Sequence, residues 1–207
     1  MSGDLVGGSY PLKYNLTKLL GSAAVNATQA NLAARSNLEW PIGSLQDAAA
    51  SLVTGDITLV AVPVEYGDVI TAVDVLVGAT AASVPTHSFA ALYSGVATTA
   101  ALVGTQSTDT TTTAIAASTK LTYKLGAPYI VNPTDSPNGF IYVALGQTAT
   151  TVSSLISGTV PTAAQKAWYT GMPLLAATIA AAGGTAPATI TLASTAAIAS
   201  PPVVVLR

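Results

Sequence analysis

The chain has no cysteine. That removes disulfides, thiolate nucleophiles and cysteine metal sites together, and leaves the redox compartment unmarked. Charge is scarce: charged residues make up 8% of the sequence, against roughly 25% in an average soluble domain. The formal net charge is −2 and there is no basic block, so the chain offers no electrostatic footprint for nucleic acid and no polybasic patch for an anionic membrane. Histidine occurs once, at His87, and no HxH, HExxH or GxSxG pattern accompanies it. Long apolar runs are missing as well. Mean hydropathy is positive, yet the longest apolar stretch, around "MPLLAATIAAAGG", is about half of the roughly 20 residues that span a bilayer. The first residues, "MSGDLVGGSYPLKYNLTKLL", lack the charged start and continuous apolar core of a secretory signal, so a soluble or particle-bound chain is expected.

What is present is a 207-residue chain rich in Ala, Thr, Val, Gly and Ser, enough for one substantial domain with an appended arm. Such a surface is neutral and covered by hydroxyls, methyls or neighbouring subunits. Few charges give little colloidal repulsion, which suits a chain that sits in an assembly.

Residues 15–35 place Leu16, Leu19, Leu20, Ala23, Ala27 and Leu32 at spacings near three and four, with Asn15 or Thr17 as N-cap, and predict one amphipathic helix. The following segment reads as an irregular connector in which Pro41 holds Trp40 out of helix. From Asp56 the pattern changes to strands. "DITLVAVP" and "DVITAVDVLV" are separated by "EYGD", whose glycine suits a tight turn. In the second run Val69, Thr71, Val73, Val75 and Val77 alternate with Ile70, Ala72, Asp74 and Leu76. "HSFAALYS" sets His87, Phe89, Ala91 and Tyr93 on one face, and "TKLTYKL" sets Leu121, Tyr123 and Leu125 against Lys120, Thr122 and Lys124, a half-buried strand. "GFIYVALG" is nearly continuous in apolar residues, as in a sheet covered on both faces. Turn signals separate these runs.

The expected fold is therefore all-β: an antiparallel β-sandwich or jelly-roll, with an N-terminal arm containing one short helix and an extended C-terminal tail. The expected division is an arm over residues 1–55 for attachment or assembly, a sandwich over 56–170, and an Ala/Thr/Pro-rich tail over 171–207. The tail is broken by Gly183, Gly184, Pro187, Pro201 and Pro202 and is expected to end in a strand, "PVVVLR".

The residues that bear chemistry read mostly as structure. A lone histidine needs a nucleophile, a carboxylate or converging metal ligands to act, and His87 falls in phase with an apolar strand face. Asp56, Glu65, Asp68, Asp74, Asp109 and Asp135 lie in the strand-rich part. Paired acids could cleave glycosides, but Glu65, Asp68, Asp109 and Asp135 stand beside turn residues, where carboxylates cap backbone amides and are expected to stay solvated. Asp74, central in a valine-rich run, is expected on an exposed face or paired with a lysine across the sheet. "DSPNG" and "TDTTTT" carry oxygen ligands without the spacing of an EF-hand. "VGGS" and "AAGGTAP" lack the lysine of a phosphate-binding loop. Trp40, Tyr66, Trp168 and Tyr169 lie near segment ends, where aromatics stack on sugars or pack between subunits. No catalytic, cofactor-binding or metal-binding residue is assigned, and no cofactor is expected.

The strand-rich stretch resembles a β-sandwich module of virion proteins from tailed bacteriophages, especially those infecting actinobacteria. The resemblance is carried by Gly67-Asp68-Val69-Ile70-Thr71, Ala91-Leu92-Tyr93, Pro128-Tyr129 and Gly139-Phe140-Ile141-Tyr142-Val143, followed by a turn near "SSLISG", over residues 57–160. It implies a non-enzymatic virion component: a decoration protein on the capsid surface, partnered by the major capsid protein and by copies of itself, with a trimer suggested by the symmetry of such shells. A tail-fibre or receptor-binding module, with a glycan ligand, is the alternative. The resemblance carries over no catalytic residue.

Overall fold

A computed structural model describes residues 35–36, 46–96, 98–158, 176–180, 184–194, 196–197 and 201–207. The predicted helix over 15–35, except Arg35, the part of the connector around Trp40, and the aromatic pair Trp168-Tyr169 lie outside them; within the rest of the expected irregular connector, Gln46–Ser51 is a strand. The described residues form thirteen strands: β1 Arg35–Ser36, β2 Gln46–Ser51, β3 Asp56–Pro63, β4 Val69–Leu76, β5 His87–Ser94, β6 Thr99–Val103, β7 Lys120–Ile130, β8 Phe140–Thr148, β9 Ser154–Ser157, β10 Ala176–Ala180, β11 Thr189–Thr191, β12 Ala196–Ala197 and β13 Val204–Leu206. One 3-10 turn spans Leu192–Ser194, and no α-helix occurs among the described residues.

Two antiparallel sheets carry the architecture. A seven-stranded sheet runs β11-β6-β5-β8-β3-β10-β12, a four-stranded sheet runs β1-β13-β4-β7, and a small pair joins β2 to β9. The all-β sandwich expected from the turn-punctuated strands is what forms. Its core lies between the two sheets. Val60 and Val62 of β3, Ala90 and Leu92 of β5, and Ile141, Val143 and Leu145 of β8 meet Val73 and Val75 of β4, Tyr123 and Tyr129 of β7, and Val204 and Leu206 of β13.

The seven-stranded sheet is also buried on its far face, where Ile57, Leu59, Phe89, Ala91, Tyr93, Phe140, Tyr142 and Ala144 pack with Ala186, Ile190 and Leu192 from the C-terminal segment. Two covered faces explain the strands' composition. Every residue of β8 from Phe140 to Gln147 is buried, so neither phase of the alternation faces water, and the run from Phe140 to Leu145 is apolar throughout. On that far face Phe89 lies over Gly146, where any Cβ would meet the ring at 2.5 Å.

The phases of β5 and β7 are as the alternation predicts. Tyr123 is buried, with Leu121 and Leu125 packed against the core, while Lys120, Thr122 and Lys124 are not buried. In β4 the alternation breaks once. Val69 is exposed and Ile70 is buried, after which Val73 and Val75 take the core positions. The break is a β-bulge: Thr71 N and Ala72 N both donate to Arg207 O, at 2.5 and 3.0 Å, so two residues of β4 face one residue following β13.

Connections were less legible. The "EYGD" turn is tight, with Gly67 at φ 86° and Asp68 Oδ2 accepting from Glu65 N at 2.8 Å. It nevertheless joins strands of opposite sheets, since β3 pairs with β8 and β10 while β4 pairs with β13 and β7. The segments around Tyr129 and Phe140, a hairpin in the module that the sequence resembles, are likewise split between sheets as β7 and β8. The tail ends in a strand, as expected, and its other described segments add β10, β11 and β12 to the large sheet. The compact unit begins at Ala34, with β1 paired to β13 and β2 to β9, so strands form inside the segment expected to be an arm.

Candidate functional site

The only histidine has an acid beside it. His87 opens β5, and after β6 the chain turns back so that residues 107–110 run along the edge of β5: Ser107 N donates to Ala90 O, and Thr110 N to Ser88 O, each at 2.9 Å. This return sets Asp109 against the start of the strand. Its Oδ2 lies 2.7 Å from His87 Nδ1, and its Oδ1 accepts from Ser88 N at 2.6 Å.

A carboxylate on Nδ1 is what orients a catalytic imidazole, but general-base chemistry also needs a hydroxyl or thiol for the histidine to activate. The adjacent hydroxyl, Ser88 Oγ, points to the opposite face of the strand and meets Tyr123 OH at 2.9 Å inside the core. Strand alternation itself separates the two. Over the pair passes the C-terminal segment, so close that a side chain at Gly184 would collide with both Asp109 Oδ2 and His87 Nδ1. Gln106 holds that segment at two points: Nε2 donates to Gly184 O at 3.1 Å, and Oε1 accepts from Ala186 N at 2.7 Å. Tyr93 OH donates to Pro187 O at 2.6 Å. Gln106 and Tyr93 therefore fasten the tail over the far face of the large sheet, with His87 and Asp109 packed beneath Gly184.

Two further acids, Asp74 and Asp135, are tied in place by hydrogen bonds, and Asp68, expected to stay solvated, is buried. Asp74 is 5% exposed and lies on the outer face of the four-stranded sheet. Arg207 Nε stands 2.6 Å from it and Lys120 Nζ 3.4 Å, and Thr122 Oγ1 donates to it at 2.6 Å. The cross-sheet lysine expected from the sequence is there; the arginine had no sequence signal. In "NPTDSPNG", Asp135 Oδ2 accepts from Tyr129 OH at 2.8 Å and Asn132 Nδ2 at 2.6 Å. That oxygen faces donors. Among the described residues no three His, Cys, Asp or Glu side chains converge as a metal site, and no helix is long and apolar enough to cross a membrane.

The tyrosines report how dry the two cores are. Burial pushes Tyr123 up to about 12; its hydrogen bond with Ser88 works against the shift and the charge of Asp109 adds to it. Burial alone pushes Tyr142 up to about 12 and raises Tyr93. Tyr129 is raised by burial first and then by Asp135.

The surface holds what the alternation alone did not reveal. Tyr66 is 58% exposed, Val69 40% and Ile130 61%. Val69 and Ile130 are direct partners in the β4–β7 ladder, and the Tyr66 turn is tied to the same place by Gly67 N donating to Val131 O at 2.9 Å. Three apolar side chains thus share one end of the outer face. Of the four aromatics expected near segment ends, Tyr66 is the one within the described residues. No protein-family model matches the chain, and no curated protein matches it.

Proposed function

We propose that the chain is a structural protein of a virion, mounted on the head surface of a tailed phage, where it contacts the major capsid protein and copies of itself. The observation that carries this reading is the use of its polar groups. His87, Asp68, Asp74, Asp109 and Asp135 are each engaged in holding a turn, a strand or the tail, on a β-sandwich whose sequence has few charges. The segments that resemble phage virion modules fall in chain order on β4, β5, β7 and β8. In this reading the protein performs no catalysis.

Absolute quantification of the chain in purified particles, by mass spectrometry against labelled peptides, tests the assignment. Copies on the order of hundreds are expected for a component repeated over a symmetric shell. A few copies per particle would overturn the head-surface position in favour of the tail. Absence from particles would end both readings. The tail or carbohydrate-binding reading is favoured by one observation, the exposed ring of Tyr66, and predicts specific binding on a glycan array.

A further inference from the structure

We infer that the core between the two sheets binds one internal water molecule at the His87 end of β5, held by Gln147 and by the Ser88–Tyr123 pair. Gln147 lies near the end of β8 at 2% exposure. Its Oε1 accepts twice, from Ser153 N at 2.7 Å and from Ser153 Oγ at 3.2 Å. Its Nε2 has no hydrogen-bond partner among the described residues. Exchanging the amide's oxygen and nitrogen gives no relief. A backbone N–H can only donate, so Ser153 N keeps the oxygen on its own side and leaves both N–H bonds of the amide directed elsewhere. Native interiors avoid such buried donors, because each forfeits its hydration without replacement.

Strand register places the acceptors. Ser88 and Gln147 are direct partners in the β5–β8 ladder, so their side chains leave the large sheet on one face, with Cβ atoms about 4.5–5.5 Å apart. It is the core face, since Ala90 and Leu92 of β5 and Val143 and Leu145 of β8 follow in the same phase. From the opposite sheet Tyr123 reaches the same place, with its OH 2.9 Å from Ser88 Oγ. The bond between these two hydroxyls uses one of their two hydrogens. One hydrogen, and lone pairs on both oxygens, remain.

The amide and the hydroxyls are thus cross-strand neighbours that are not bonded to each other, and their unused groups match those of water. A water molecule there accepts from Gln147 Nε2, accepts the spare hydroxyl hydrogen, and donates to a hydroxyl lone pair. Three hydrogen bonds are the usual complement of an internal water. Ser88 and Tyr123 join the two sheets, and Gln147 joins β8 to the segment entering β9. The water makes one polar clamp of the two, while the core beyond Leu145 stays apolar and closed to bulk solvent.

This site is independent of where the chain is mounted, so the number of copies in a particle neither supports nor weakens it. A crystal structure of the full chain with ordered solvent resolved is expected to show one water within about 3 Å of both Gln147 Nε2 and an oxygen of the Ser88–Tyr123 pair. In solution, the Gln147 side-chain amide is expected to give a nuclear Overhauser effect to water with the sign of a long-lived contact. Tyr123→Phe is expected to keep that signal, since Ser88 Oγ still holds the water and no phenol proton can relay it. A Gln147 Nε2 that donates directly to a protein acceptor, or stands beside an empty gap, would overturn the inference. So would a resolved Gln147 amide with no signal to water, or a signal lost from folded Tyr123→Phe.

Discussion

At the scale of single residues, the polar side chains inside this sandwich work as fasteners. Asp74 shows how. It sits at 5% exposure between two cations whose side chains are about half exposed, so solvent screens much of the ionic attraction. What is lost on removing it is the Thr122 hydrogen bond together with the desolvated partners left behind. Asp74→Ala is expected to destabilise the fold by about 1–3 kcal/mol, and Asp74→Asn by less, since an amide oxygen still accepts from Thr122. Urea unfolding of both variants measures the difference. His87 and Asp109 belong to the same class. Their sequence positions made one a strand-face residue and the other a turn acid, and both descriptions hold. The contact between them was not legible, because their separation of 22 residues carries no periodicity that would reveal it.

At the scale of elements, β13 shows how little sequence a decisive strand needs. Three residues, Val204–Leu206, lie between β1 and β4, with Val75, Asp74 and Val73 opposite them in order. Val204 and Leu206 are fully buried. Each such side chain contributes about 1.5–3 kcal/mol through burial, and the strand closes the four-stranded sheet. Leu206→Ala is expected to cost about 2–5 kcal/mol, read as a fall in the urea midpoint, together with faster amide exchange in β4. The tail's prolines and glycines argued for an extended crossing, and the final strand was foreseen. That β10 pairs with β3, and β11 with β6, was not, because alanine-rich segments carry almost no facial pattern. Composition can show that such a segment is extended without showing which edge it joins.

For the whole molecule, two dry cores sharing one sheet make stability depend on keeping the tyrosines neutral. Tyr123 and Tyr142 titrate in the fold at about 12, against 10 for the free side chain. A pKa raised by folding stabilises the native state fully below the unfolded value, and that contribution is lost as pH climbs through the folded value. Stability is therefore expected to hold to pH 10 and to fall steeply between pH 10 and 12, with Tyr123 alone accounting for about 3 kcal/mol. In an alkaline titration the late component of the tyrosine absorbance at 295 nm, from the buried rings, should appear together with the loss of far-ultraviolet circular dichroism; ionisation of the buried tyrosines well before unfolding would contradict it. The sequence by itself determined the all-β class, the phase of β5 and β7, the doubly covered character of β8, and the exclusion of thiol chemistry, since alternation and residue type are local properties of the chain. Only the tertiary structure decided that the "EYGD" turn changes sheets, that Arg207 meets Asp74, and that Asp109 meets His87. It alone also placed Val69 and Ile130 side by side in the open. Those facts depend on the register between strands distant along the chain, and register is set by how both faces of each sheet find cover at once.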